Sequence, residues 1–182
     1  MTQDGLAADS RFLAHVLRHR PATLGLRLGD GGWVSVDALQ AALALHGRPM
    51  DDARLARLVE GSGKKRFELQ DGRIRAAQGH SVDVDLGLTP SAPPAVLFHG
   101  TGEHSLRRIL AEGLRPMGRN DVHLSATADT ARAVGARHGR PVVLVVDAAA
   151  LQGAGRTFRQ ATNGVWLTGS VEPRYLALHD GD

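Results

Sequence analysis

The sequence has no cysteine among its 182 residues, which excludes a disulfide framework and any thiolate-bound metal. A zinc site would have to rest on histidine and carboxylate alone, and no metal is expected. No apolar run approaches the roughly 18 residues needed to span a bilayer. The opening stretch MTQDGLAADS lacks the charged and apolar segments of a secretory signal. A cytoplasmic protein with no membrane attachment is therefore expected. Repeats, heptad arrays and low-complexity tracts are missing too. So are several fingerprints: a G-x-G-x-x-G between strand and helix, a P-loop lysine motif, HExxH and a G-x-S-x-G elbow. Their absence closes the Rossmann, P-loop, zincin and α/β-hydrolase routes.

Lysine is almost absent. Lys64 and Lys65 are the only two, so 22 − 2 = 20 of the basic residues are arginine. Against 19 acidic residues this gives a formal net charge of only +3. GC-rich coding produces such a bias by itself. Arginine also grips phosphate in bidentate fashion, and position must decide between the two readings.

What is present divides at a proline-rich seam, Leu88-Thr89-Pro90-Ser91-Ala92-Pro93-Pro94, whose composition favours an extended linker. Two domains are expected, 1–88 and 95–182. The first reads as three helices and a hairpin. Ser10 is placed to cap a helix from Arg11 to about Arg20, with Phe12, Leu13, Val16 and Leu17 inward and Pro21 as the stop. Ser35 caps a second helix carrying Val36, Leu39 and Leu43, and a third follows Asp51 with Leu55, Leu58 and Val59 inward. Asp71-Gly72 is a two-residue hairpin signal. Alternation puts Phe67, Leu69, Ile74 and Ala76 on the core face and Arg66, Glu68, Arg73 and Arg75 on the other. Three helices followed by a hairpin suggest a winged-helix module.

The second half mixes short strands and helices without a βαβ series, so the class is α+β. Val96-Leu97-Phe98 reads as a strand ending at His99-Gly100-Thr101. Val122-His123-Leu124-Ser125 reads as another, Thr127 as a cap, Val142 to Val146 as a buried strand, Asn163-Gly164 as a turn and Tyr175 to Leu178 as a closing strand. Two constellations stand out. Arg18 and His19 on one helix, with Arg66 at the hairpin base, join fixed charge to a group that titrates near neutrality; a solvated basic face is the plain alternative. His99 and His123 each sit at a strand end beside small or hydroxyl residues, where a structural histidine is the plain alternative.

The ordered set of stretches resembles the NAD-dependent RNA 2′-phosphotransferases (the tRNA 2′-phosphotransferases). It runs Ser10-Arg11-Phe12-Leu13 through Val16-Leu17-Arg18-His19, Gly32-Trp33-Val34, Lys65-Arg66-Phe67-Glu68, Ile74-Arg75-Ala76 with Gln78-Gly79-His80-Ser81, Leu97-Phe98-His99-Gly100-Thr101, Val122-His123-Leu124-Ser125, Val134-Gly135 with Arg137-His138-Gly139, and Asn163-Gly164-Val165-Trp166-Leu167. The resemblance implies an N-terminal winged-helix RNA lobe and a C-terminal ADP-ribosyltransferase-like lobe. It implies NAD as a consumed co-substrate and a tRNA-like RNA with an internal 2′-phosphate as partner; a monomer is expected. The phosphate attacks the anomeric carbon of the nicotinamide ribose, nicotinamide leaves, and the ribose 2″-OH then attacks the phosphodiester of the ADP-ribosylated RNA. RNA with a 2′-OH and ADP-ribose 1″,2″-cyclic phosphate result.

The resemblance assigns Arg18, His19, Arg66 and Arg119 to catalysis, the arginines on the phosphate and His19 moving protons. It assigns His99, Gly100, Thr101, His123, Leu124, Ser125 and Val165 to NAD, and Arg20, Lys65, Arg75, Gln78 and His80 to RNA, with structural positioning of the lobe junction an equal alternative for His80. Many ADP-ribosyltransferases carry glutamate where Val165 stands; a carboxylate there would repel an incoming phosphate by about 1 kcal/mol at 4 Å in water and more in a drier site. The family often has histidine at Asp121 and asparagine at Ala77. Asp121 is expected to place negative charge near the phosphate path. Two other functions remain open: ADP-ribosylation of terminal phosphates on RNA or DNA, and a non-enzymatic winged-helix regulator with an NAD-sensing lobe.

Overall fold

The computed structural model describes residues 3–61 and 65–179. The chain forms two compact units, Met1–Gly87 and Leu88–Asp182. Among the described residues there are six α-helices and three antiparallel sheets of three short strands each, a mixed α and β fold.

The first unit contains α1 (Gln3–His19), β1 (Val34–Ser35), α2 (Val36–Leu45), α3 (Asp52–Glu60), β2 (Phe67–Gln70) and β3 (Arg73–Ala76). Its sheet order is β1-β3-β2. Leu13, Val16 and Leu17 of α1 pack with Leu39 and Leu43 of α2, Leu55 and Leu58 of α3, and Phe67 and Ile74 of the sheet. Ser35 caps α2 by accepting the Ala38 N–H at 3.1 Å. Asp51 caps α3 by accepting the Arg54 N–H at 2.7 Å. Each cap satisfies a backbone donor that the helix cannot, worth about 1 kcal/mol. Asp71 and Gly72 have φ of 48° and 66°, the paired left-handed conformations of a type I′ hairpin.

Three expectations need correction here. Helix α1 begins at Gln3 and ends at His19, so Ser10 is an interior residue and not a cap. Its hydroxyl accepts from Arg66 Nη1 at 3.0 Å, which gives a polar side chain inside a helix a partner other than its own backbone. Leu69 is 46% exposed because β2 is an edge strand, while its cross-strand neighbour Ile74 lies in the buried central strand. Arg75, expected on the hairpin face away from the core and assigned to RNA, is only 8% exposed.

The second unit contains β4 (Val96–Gly102), α4 (Leu106–Glu112), β5 (Val122–Leu124), α5 (Ala128–Gly135), β6 (Pro141–Asp147), α6 (Ala148–Gly153), β7 (Phe158–Gln160), β8 (Trp166–Thr168) and β9 (Leu176–Leu178). The sheets are β4-β6-β9 and β5-β8-β7. Phe98 and Ser125 link them by exchanging both backbone hydrogen bonds, at 2.9 and 2.7 Å. Leu97, Leu144 and Val146 of one sheet and Val122, Leu124, Phe158 and Trp166 of the other share one core. Helix α5 packs on β4 so closely that a Cβ on Gly100 would lie 1.7 Å from the Ala131 carbonyl oxygen. A Cβ on Gly135 would lie 2.7 Å from the Thr101 carbonyl oxygen. Strand β4 runs on to Gly102, so His99-Gly100-Thr101 lies inside the strand and not at its end. Helix α6 and strand β7 are additional to the elements expected from the sequence.

Candidate functional site

In the first unit Arg18 and His19 lie on the last turn of α1. Cations suit a helix C-terminus because they face its unsatisfied carbonyls. One of those carbonyls is closed by a following strap of chain: the N–H groups of Ser81 and Val82 donate to the Arg18 carbonyl at 2.9 and 3.4 Å. The Ser81 hydroxyl lies 2.9 Å from His19 Nδ1. Gly79, with φ of 89°, brings its backbone against the Arg18 side chain, so that a Cβ there would sit 3.6 Å from Arg18 Cδ. The strap starts from the hairpin, where the Ala77 N–H donates to the Arg66 carbonyl at 2.9 Å. Arg66 in turn is held on Ser10, eight residues before Arg18 and thus about 12 Å back along the helix axis.

His80, on the strap, is 3% exposed, and neither ring nitrogen has a hydrogen-bond partner among the described residues. Its pKa is lowered to about 4, first by burial and then by the charges of Arg18, His19 and Arg75. It is neutral at pH 7. Arg75 donates to Glu68 from both Nε (3.0 Å) and Nη2 (2.7 Å), and from Nη1 to the carbonyls of Gly31 (2.9 Å) and Leu86 (2.8 Å). Its guanidinium also stacks 4.5 Å from the Trp33 ring centroid. Both of the Glu68 bonds fall on one carboxylate oxygen, Oε2, and with the two carbonyls they make a charge-assisted clamp that holds the strap and the turn before β1. Among the residues assigned to RNA, Arg20 and Lys65 are exposed, Gln78 is half-buried, and Arg75 and His80 are buried.

In the second unit His99 donates from Nδ1 to the His123 carbonyl at 3.1 Å. A carbonyl only accepts, so this bond fixes the Nδ1–H form and leaves the lone pair on Nε2. Burial lowers the His99 pKa most. The hydrogen bond to His123 acts in the raising direction, and Arg119 and His138 lower it further. Arg119 donates from Nη1 to His123 Nδ1 at 3.3 Å, so this arginine, which precedes β5, is tied to the strand that carries His123. Asp121 forms an ion pair with Arg159 at 3.1 Å, so its negative charge has a cation beside it.

The backbone of Gly100 has its own chemistry. In an antiparallel ladder each residue points N–H and C=O the same way, and successive residues alternate. Phe98 directs both groups at Ser125; Gly100, two residues on, directs both to that same edge of β4. Opposite Gly100, Val143 accepts from His179 at 3.0 Å, so it faces β9 and not β4. A donor and an acceptor therefore lie side by side on the β4 edge. Thr101 is buried, Ser125 and Val165 are half-buried, and Leu124 is in the core. Val165 is ordered by an Asx turn, its N–H donating to Asn163 Oδ1 at 3.3 Å.

Arg18, His19 and the strap thus form one connected group in the first unit, and His99, Arg119 and His123 form another in the second. Ser10 is expected only as a helix cap and Ser81 only as part of the Gln78-Gly79-His80-Ser81 stretch, and neither is expected among the site residues. Ser10 looks like a cap when the helix is started too late. Ser81 carried a signal in that a hydroxyl directly follows a histidine, but only the strap brings it to His19.

The family model for "RNA 2'-phosphotransferase, Tpt1 / KptA family" matches residues 6–170. The chain belongs to this family. A Streptomyces coelicolor protein named "Probable RNA 2'-phosphotransferase" is 51% identical over 176 residues, covering 97% of both chains. One of the same name from Agrobacterium fabrum is 54% identical over 173 residues, 94% of this chain and 93% of the relative. Another from Pseudomonas aeruginosa is 49% identical over 179 residues, 97% and 98% of the two. Family membership thus extends over both units of the RNA 2′-phosphotransferase chain. Among the described residues no group of histidine and carboxylate could hold a metal ion, and no helix is long and apolar enough to cross a membrane.

Proposed function

We propose that this family member removes an internal 2′-phosphate from RNA by transferring it to NAD, which is consumed. The match over residues 6–170 carries the reading, and the chemistry within each unit supports its parts. We read the first unit as a winged-helix RNA lobe, on its three helices and the β1-β3-β2 sheet. We read the second, with its two small antiparallel sheets, as an ADP-ribosyltransferase-like lobe.

The β4 edge suits the nicotinamide end of NAD. A carboxamide needs one acceptor for its N–H and one donor for its C=O, and Gly100 offers both from a single backbone unit. Neutral His99 offers the Nε2 lone pair to a ribose hydroxyl. Its low pKa keeps a positive charge away from the glycosidic bond, where an oxocarbenium-like state develops. The nucleophile in this first step is a phosphate that is already anionic, so the step needs no base. Val165 in place of a carboxylate leaves its approach unopposed.

In the second step the ribose 2″-OH attacks the phosphorus, and charge builds on a phosphorane. That step needs fixed cations and a proton carrier. Arg18 and Arg66 supply the cations in the first unit, His19 the proton carrier, and the family resemblance adds Arg119 from the second unit. Arg20 and Lys65, being exposed, are the cations suited to the RNA backbone. Arg75 and His80 are structural in this reading. The test is nicotinamide release from NAD with three oligonucleotides bearing an internal 2′-phosphate, a terminal phosphate or neither. Release and dephosphorylation with the first alone are expected. Release with the terminal phosphate alone would replace this function by terminal ADP-ribosylation.

A further inference from the structure

His19 is held by its Nδ1, and the group that holds it is Ser81. This matters because an imidazole has two distinct nitrogens, and the bond made by one decides what the other does. The strap that carries Ser81 has few ways to shift. Ala77 is bonded to the Arg66 carbonyl, the N–H groups of Ser81 and Val82 to the Arg18 carbonyl, and Arg75 to the Leu86 carbonyl further along. Between them the His80 ring is buried, and a Cβ on Gly32 would lie 3.5 Å from its Nε2. The Ser81 backbone is thus fixed on the same turn of α1 that carries His19, and its hydroxyl closes the remaining 2.9 Å to Nδ1. A serine hydroxyl both donates and accepts, so the contact by itself fits either tautomer; the reaction selects between them, because a base that works through Nε2 must carry its resting proton on Nδ1.

Resting on the reading of His19 as the proton carrier, we infer that Ser81 is a positioning residue that holds His19 as the Nδ1–H tautomer, so that Nε2 exchanges the proton. In the second step Nε2 takes the proton of the ribose 2″-OH as that oxygen bonds to phosphorus. It returns the proton to the departing RNA 2′-oxygen as the phosphorus–oxygen bond to the RNA breaks, and Nδ1–H stays on Ser81 throughout. Atoms and charge balance with no further reactant. The first step, which needs no base, does not depend on Ser81. Among the described residues, the charged and titratable groups near His19 include Arg18 and His15 on its own helix, the His15 ring at 5.4 Å between centroids, and His80 on the strap.

The test joins a spectroscopic and a kinetic readout on the full chain. Nitrogen-15 NMR of the histidine rings in the protein without substrate should show His19 as the Nδ1–H tautomer. In Ser81→Ala that preference should be lost, and Ser81→Thr, which keeps a hydroxyl, should restore it. With NAD and 2′-phosphorylated RNA, Ser81→Ala should release nicotinamide at the normal rate. It should resolve ADP-ribosylated RNA on the order of ten- to a hundredfold more slowly, the cost of a misplaced group, and Ser81→Thr should recover most of this. A His19 that is Nε2–H in the parent protein, or a tautomer unchanged in a folded Ser81→Ala, overturns the inference. So does an equal slowing of both steps. If the parent protein releases no nicotinamide, the functional reading fails, while the tautomer measurement still decides what Ser81 does.

Discussion

Acid should loosen the first unit through His80. Its pKa in the folded chain is about 4, against 6.5 for an ordinary histidine. Between those values the unfolded chain takes up a proton that the folded chain refuses. The stabilisation from keeping this ring neutral is therefore complete above the unfolded value and is lost as pH falls toward the folded one. At about 1.4 kcal/mol per pH unit of unmatched titration, the loss between pH 7 and pH 5 comes to about 2 kcal/mol. The assay is urea unfolding at both pH values for the parent and His80→Gln, which keeps polarity and cannot titrate. Carboxylates common to the two cancel in the comparison, so the parent should lose about 2 kcal/mol more than the variant. An NMR titration of the His80 ring in the folded parent gives the second readout and does not depend on the variant. Equal losses in both proteins, with His80 titrating near its ordinary value, would refute the reasoning.

Two further outcomes follow from the packing and one from the proposed catalytic roles. Gly100→Ala forces a Cβ to 1.7 Å from the Ala131 carbonyl oxygen; α5 must retreat from β4, and calorimetry should show the overpacking cost of roughly 1–3 kcal/mol. Arg75→Met breaks the buried pair with Glu68 and releases the Gly31 and Leu86 carbonyls, so denaturant unfolding should show a loss of about 3 kcal/mol or more. Arg18→Ala and Arg119→Ala should slow the second chemical step more than the first, so that gel analysis shows ADP-ribosylated RNA accumulating; normal turnover would contradict their assignment.

Local chemistry announced much of this fold in advance. Ser35 and Thr127 act as the caps their positions imply, and Asp71-Gly72 makes the tight turn that its residue types demand. The buried faces of α1, α2 and α3 follow the helical period. What stayed hidden depends on contacts distant in sequence. The true start of α1 was masked because Ser10 is an ordinary capping residue until Arg66 supplies it with a partner 56 positions away. Arg75 read as a surface charge, since alternation cannot show that the chain after the hairpin folds back over that face. Helix α6 is six residues long, too short for a periodic signal, and β7 has three residues. At the site, the residue types were readable from the family motifs. The strap that joins Ser81 to His19, and the ion pair that offsets Asp121, come only from tertiary structure.

The most direct test follows the phosphate itself. An oligonucleotide carrying a radioactive internal 2′-phosphate is incubated with the protein, with and without NAD, and the labelled products are separated. The label should leave the RNA only when NAD is present and should appear in ADP-ribose 1″,2″-cyclic phosphate. Label released as inorganic phosphate without NAD, or retained on the RNA while NAD is consumed, would contradict transfer of the 2′-phosphate to NAD.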